Sequence, residues 1–404
     1  MLALLDRGGQ ARPGWPIAVK DSTSCGLLLP VGDGSVRIVC NATDLPQPDD
    51  DRADVRAFAF DAGGRPLTGW PVQLRLGWPA GYVGAVVGDE LIYFTEQRVA
   101  LNPNTVSYEA WVTRVAVNGA TRSGVKVQRE ETACCGERWA VGPDSVVYGS
   151  VLALGENLSA PSSSKLLAVS SAGVPGGFPI AIDGMASEPS FDADGRIHVT
   201  VVKEAGGPAR TLVFDTGGQA AIGGSAELGI NATDVCSGIE GSCAVPAAPL
   251  VGSDGTTFVI EAHYTHTKVA GLSPSGQMMA GWPYRSEAGV QGIGVCAPGD
   301  ICEGGDVATA ALGPGDVVYL INRANDEAVD GGSLVAVGPD GRVRAGWPVE
   351  LKRAGAAFWS VVVGSDGTAY ALAIEPESGG KSSASILAIA PDSTVRYSTT
   401  IVEP

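Results

Sequence analysis

Ser333-Leu334-Val335-Ala336-Val337-Gly338-Pro339-Asp340-Gly341, followed at 346–348 by Gly-Trp-Pro, is the stretch from which the fold is read. An apolar run meets a Gly/Asp turn, and a second run enters at the tryptophan, which is the pattern of a β-hairpin. Ala57-Phe58-Ala59-Phe60-Asp61-Ala62-Gly63-Gly64 leads in the same way to Gly69-Trp70-Pro71. Gly-Trp-Pro also occurs at 14–16 and 281–283, with Gly177-Phe178-Pro179 as a variant and Gly77-Trp78-Pro79 off the period. Divergent copies without the tryptophan lie at 111–128, 209–228 and 384–402.

Between these hairpins sits a second kind. Val361-Val362-Val363-Gly364-Ser365-Asp366-Gly367-Thr368-Ala369-Tyr370 recurs as Leu250-Val251-Gly252-Ser253-Asp254-Gly255-Thr256-Thr257-Phe258, with looser copies at 28–39, 84–94, 139–149, 189–199 and 310–320. The unit is therefore four short strands, A to D, repeating every ~55 residues, and a four-stranded repeat of that length predicts a β-propeller. Seven A–B hairpins and eight C–D hairpins give an all-β fold of seven full four-stranded antiparallel blades plus an extra hairpin at 2–19. That count fits an eight-bladed ring with one incomplete blade, or a seven-bladed ring with a supplementary hairpin. Residues 1–404 are expected to form one domain, because a single blade cannot bury both of its faces. Proline donates no ladder bond and belongs on an edge strand, so the tryptophan–proline pairs are read as structural covers at the outer strand.

The repeats resemble the PQQ-like (quinoprotein-type) β-propeller superfamily, whose blades also close with an apolar run, Asp or Asn, a Gly turn and then Trp. The bacterial secreted and envelope propellers with Gly-Trp-Pro blades look closer than the cofactor-bearing dehydrogenases. The family places its tryptophan four residues after the turn glycine. Here the spacing from Gly64 to Trp70, and from Gly341 to Trp347, is six. The resemblance implies a propeller fold across nearly the whole chain, and among its enzymes a chemistry that uses PQQ and calcium.

Composition narrows the partners. With 27 basic and 44 acidic residues the net charge is −17, which repels nucleic acid and anionic membrane surfaces. The hydrophobic fraction of 45% argues against disorder. No apolar run approaches the ~18 residues that a spanning helix needs. Met1-Leu2-Ala3-Leu4-Leu5-Asp6-Arg7 lacks the basic start and long apolar run of a secretion signal. The expectation is a leader already removed, or a chain that begins inside a longer product.

Eight cysteines fall in four close pairs without zinc spacing, which reads as disulfides and an extracytoplasmic location, whether secreted, periplasmic or cell-surface. Proximity predicts Cys25–Cys40, Cys236–Cys243 and Cys296–Cys302, with Cys134 and Cys135 as the residual pair. Adjacent cysteines are read as a rigid kink in a D–A loop. In some quinoprotein dehydrogenases such a pair packs against the cofactor ring, and this match is the case for an enzyme.

The A–B and C–D turns are short. The longer connections, at 42–54, 97–110, 154–164, 228–248, 286–307 and 322–332, are all B–C or D–A, and such one-sided insertion marks the working face of a repeat protein. Ligand-face candidates there are Asp49, Asp50 and Asp51 in one loop and Asp326, Glu327 and Asp330 in another, suited to a basic partner or a cation. His263 and His266 are weak metal candidates, because an H-x-x-H pair needs further ligands that are not evident. His198 is read as structural, and Asp192-Ala193-Asp194-Gly195 as an A–B turn rather than a calcium loop. No catalytic residue is assigned. The expected function is a non-catalytic propeller that binds a protein or glycan through its long-loop face, with no cofactor. The alternative is a quinoprotein-like oxidoreductase, and only that alternative calls for PQQ and calcium.

Overall fold

The computed structural model describes residues 2–20, 22–42, 55–74, 83–88, 90–102, 105–131, 138–153, 163–203, 208–222, 228, 247–262, 267–286, 310–322, 332–353, 355–377 and 382–401. Their strands form seven antiparallel sheets, each in chain order from A to D, the arrangement of a seven-bladed β-propeller. Blade 1 consists of Ser22–Pro30, Val36–Ala42, Val55–Phe60 and Val72–Gln73. Blades 2 to 7 span 83–131, 138–182, 185–222, 250–286, 310–350 and 357–401. In blade 4 strand A is broken into Met185–Ala186 and Ser190–Phe191, both paired with Ile197–Val202. Of the two arrangements the hairpin count allowed, blade 7 uses 384–402 for its own C and D strands, Ser382–Ile389 and Val395–Ile401. Among the described residues the extra hairpin at 2–19 pairs through the bridges Leu2–Ile17 and Leu5–Ala11 and joins no sheet.

One expected loop is not a loop. Segment 97–110 continues strands B and C of blade 2, Glu90–Asn102 and Thr105–Ala116, in register down to Asn102–Thr105. Val99, Leu101, Val106 and Tyr108 sustain a β-favouring pattern past the usual strand length, and length alone had read as a loop. Cys25 lies within strand A of blade 1.

The chain divides into two compact units. The first holds blades 1 to 3, and its apolar clusters lie between neighbouring elements. Leu2 and Trp15 pack with Val36, Ile38 and Phe60; Trp70 and Val72 with Leu91 and Tyr93; Phe94 and Val112 with Trp139 and Val147. The second unit repeats this scheme: Phe258 and Trp282 pack with Val318 and Leu320, and Tyr319 and Trp347 with Phe358 and Leu387. Strands Ile197–Val202 and Val317–Asn322 are buried at every position, as expected of strands covered on both faces.

Each residue of the Gly-Trp-Pro signature has its own structural role. The two extra residues before each tryptophan make an additional tight turn, closed by Trp15 N–H to Arg12 O, Trp70 N–H to Leu67 O, Trp282 N–H to Met279 O and Trp347 N–H to Arg344 O. Gly14, Gly69, Gly281 and Gly346 occupy the third position of these turns with φ of 86–89°, where glycine fits without strain. A side chain on Gly281 would also strike Asp340 O of the next C–D turn, and one on Gly69 would strike Asn118 O. Each indole then reaches forward. Nε1–H of Trp15, Trp70, Trp282 and Trp347 donates to the carbonyl of Ala62, Val117, Pro339 and Pro391, at 2.9–3.2 Å. The proline follows each of these four tryptophans through a cis bond, and in blades 1, 5 and 6 strand D starts directly after it.

Candidate functional site

The short-turn ends of the blades are crowded with aspartates, and seven of them cap their own turns. Oδ1 of Asp33, Asp144, Asp254, Asp366 and Asp392 accepts the N–H two residues on. Asp61 and Asp215 accept this bond and a second from the N–H four residues on, Arg65 and Gln219. These are Asx turns, and they explain the recurrent Asp-Gly of the sequence. Hydrogen bonds from Ser35 hold Asp33 below the ordinary carboxylate pKa. Those from Thr256, Thr368 and Thr394 do the same for Asp254, Asp366 and Asp392.

Asp192 carries this capping into the interior. Its Oδ1 accepts from the Asp194 and Arg196 amides, and its Oδ2 faces Arg196 Nε at 2.7 Å and His198 Nε2 at 3.2 Å. The carboxylate can only accept, so Nε2 carries the proton that joins them. On the other side of the ring, Nδ1 lies 3.0 Å from the Thr257 hydroxyl, which also reaches Gly255 O at 3.1 Å. Burial favours neutral forms of both acid and base. For Asp192 the bonds from His198 and Arg196 outweigh it, and the carboxyl lies below its usual pKa. For His198 burial prevails over the pull of Asp192, and the imidazole lies below its usual value. Asp192 and His198 are both buried, so the line Asp192–His198–Thr257 works as an internal tie between blades 4 and 5. Asp192-Ala193-Asp194-Gly195 is thus an A–B turn in which both oxygens of Asp192 already have partners. Other buried acids are also paired: Glu90 with Arg114 at 2.6 Å and Glu261 with Lys268 at 2.8 Å.

Of the expected site residues, Cys25 and Cys40 are directly opposite in register and joined as a disulfide, with Cα atoms 4.0 Å apart. The ligand-face candidates Asp49, Asp50, Asp51, Asp326, Glu327 and Asp330 lie outside the described residues, as do His263, His266, Cys134, Cys135, Cys236, Cys243, Cys296 and Cys302. Among the described residues no group of three or more His, Cys, Asp or Glu side chains is placed to hold a metal ion. No helix among them is long and apolar enough to cross a membrane.

The sequence reading missed Arg37. It occupies the place in strand B that Tyr148, His198, Phe258, Tyr319 and Tyr370 hold in blades 3 to 7, whereas blade 2 has the aliphatic Leu91 and Ile92 there. Tyr148 meets the ring of Phe178, Phe258 that of Trp282 and Tyr319 that of Trp347, with centroids 5.1–5.7 Å apart. Arg37 instead lays its guanidinium 5.3 Å from the centre of Trp70. Superposing the A–B turns in the sequence would have exposed this cation at a place where blades 3 to 7 carry rings.

No family model matches the chain, and no curated protein matches it in sequence. Among solved structures it is similar to a puromycin-hydrolysing peptidase of Mycobacterium tuberculosis, at 13% identity and a TM-score of 0.48 over 99% of this chain. The chain spans 56% of that peptidase's length. A quinoprotein alcohol dehydrogenase-like protein of Bacteroides thetaiotaomicron matches at 9% identity and a TM-score of 0.41, covering 91% of this chain and 89% of that one. A gluconolactonase of Xanthomonas campestris matches at 12% identity and a TM-score of 0.32, over 64% and 73% of the two chains. At these identities and scores the resemblances assign no activity.

Proposed function

We propose that this chain is a non-catalytic, extracytoplasmic propeller that binds a protein or glycan through its B–C and D–A connections. The observation that carries this reading is the division of labour among its acids. At the short-turn ends, aspartates cap their own turns. The connections carry acids outside these turns, Asp49, Asp50 and Asp51 in one and Asp326, Glu327 and Asp330 in another. Such clusters on rigid blades suit a basic partner or a cation. The Cys25–Cys40 disulfide supports an oxidising compartment.

A hexalysine peptide titrated into the protein at low and high salt tests this. The D49N/D50N/D51N variant should bind it several-fold more weakly and with a shallower salt dependence, while Asp61→Asn at a C–D turn leaves it unchanged. An effect from Asp61 alone would place the working surface at the opposite ends of the blades. Stoichiometric binding of added PQQ with calcium, abolished by Cys134→Ala, would replace the scaffold reading with the oxidoreductase one.

A further inference from the structure

Arg37 is 3% exposed, yet no carboxylate lies within ion-pair distance of it among the described residues. Nη1 donates to Ser35 Oγ at 3.0 Å and to Val36 O at 3.2 Å. Nε and Nη2 have no hydrogen-bond partner among the described residues, and neither is sealed off from solvent. The side chain lines a cleft of about 240 Å³ at the short-turn ends of blades 1 and 2. Burial pulls Arg37 below the ordinary arginine pKa, and the charge of Asp33 offsets part of that. Aromatic rings hold this position in blades 3, 5, 6 and 7, so packing does not require a cation there. A buried charge without a close partner is costly to keep.

We propose that the cleft binds a small monocarboxylate with a short apolar tail. The free Nε–Nη2 edge is a planar two-donor fork, the geometry that matches a carboxylate. Val31, Val86, Leu91 and Val115 supply an apolar wall for a branched alkyl group. The two acids among the described residues of the cleft restrict the ligand's charge. Glu90 is already paired with Arg114, and Asp33 caps its own turn, so neither neutralises Arg37 at short range. Both nevertheless repel a second negative charge, which disfavours phosphate and dicarboxylates. The volume suits a ligand smaller than the drug-sized molecules that fill typical pockets of ~300–1,000 Å³.

Titration calorimetry and saturation-transfer NMR with isovalerate as the probe test this, against isovaleramide, succinate and phosphate. Isovalerate should bind saturably, and the three comparators at least tenfold more weakly. Arg37→Tyr installs the residue that blades 3, 6 and 7 already carry, so it should unfold no earlier than the wild type and lose isovalerate binding by at least tenfold. Arg37→Lys keeps the charge without the fork and should weaken binding several-fold, which guards against a misfolded tyrosine variant. Asp33→Asn should raise succinate relative to isovalerate. No saturable isovalerate binding, unchanged binding in both Arg37 variants, or phosphate and succinate bound as tightly as isovalerate would each overturn the site.

Discussion

Blades 1 and 6 use the same tryptophan in the same way but lean different side chains against it. In blade 6, Tyr319 meets Trp347 edge-on, and its hydroxyl donates to Gly367 O of blade 7 at 3.1 Å. Every polar atom of that pair is spent on holding blades together. In blade 1, Arg37 meets Trp70, and part of its donor edge is left over. Blade 1 also carries a disulfide between its inner strands, and none is seen within the described part of blade 6. A repeat that is only structural satisfies itself, whereas one that departs from the repeat with unspent donors and an added covalent staple is where binding chemistry can be housed.

The largest test of the shared part is removal of the ring. Trp347→Ala and Trp70→Ala should each cost about 3–5 kcal/mol in chemical denaturation, as for other buried aromatics. In blade 6, truncating both Tyr319 and Trp347 should cost less than the sum of the single changes, by about 0.5–1.5 kcal/mol for the lost ring pair. Strict additivity there would mean that the rings are neighbours without coupling.

The staple sharpens the contrast. Replacing Cys25 and Cys40 by serine should cost about 3 kcal/mol for a loop of this size, and reductant should then no longer lower the unfolding midpoint. A variant as stable as the oxidised wild type would make blade 1 no more dependent on its staple than blade 6.

Glycine substitutions separate conformation from contact. Gly281→Ala meets both a left-handed φ and the Asp340 carbonyl, so its cost should exceed the ~1–3 kcal/mol typical of backbone strain alone. Gly173→Ala, with φ of 112° and nothing near a new methyl, should stay within that range. Equal costs at the two sites would remove the forward contact as a source of stability.

Blade 4 gives a third occupant of the same position, and its effect is the smallest. The folded-state pKa of His198 lies below the ordinary 6.5, so the unfolded chain binds more protons just below that pH. Stability is then full above about pH 6.5 and falls as pH drops through that value, by at most ~1.4 kcal/mol per pH unit. His198→Phe should flatten this slope between pH 6.5 and 5. The depressed carboxyl of Asp192 adds a further loss only below its ordinary 3.8. An unchanged slope in the variant would assign the acid sensitivity elsewhere.

Much of this fold was legible because the repeats state it many times over. Alternating runs, Asp-Gly turns and recurrent Gly-Trp-Pro fixed the blades, the hairpin order and the partner of Cys25. The extended hairpin 90–116 was not legible, because strand length depends on pairing across the turn rather than on composition. Arg37 was missed for a different reason. Within its own strand, Val36-Arg37-Ile38-Val39, it reads as one polar residue among apolar ones, and its meaning appears only beside Tyr319 and Phe258. The acidic candidates of the long connections lie where no repeat constrains the sequence, so one copy says little about its arrangement.

The forward reach of the indole also bears on how such a chain grows. Donor and acceptor sit on successive hairpins, so a segment running from one C–D turn to the next carries one of each. Copying that segment in tandem inserts a joint already matched at both ends, whereas copying half of it strands an indole or a carbonyl. The 55 residues from Trp15 to Trp70 are one such step. Selection on a newly duplicated blade therefore begins with its joints already made, and its connecting loops are free to diverge.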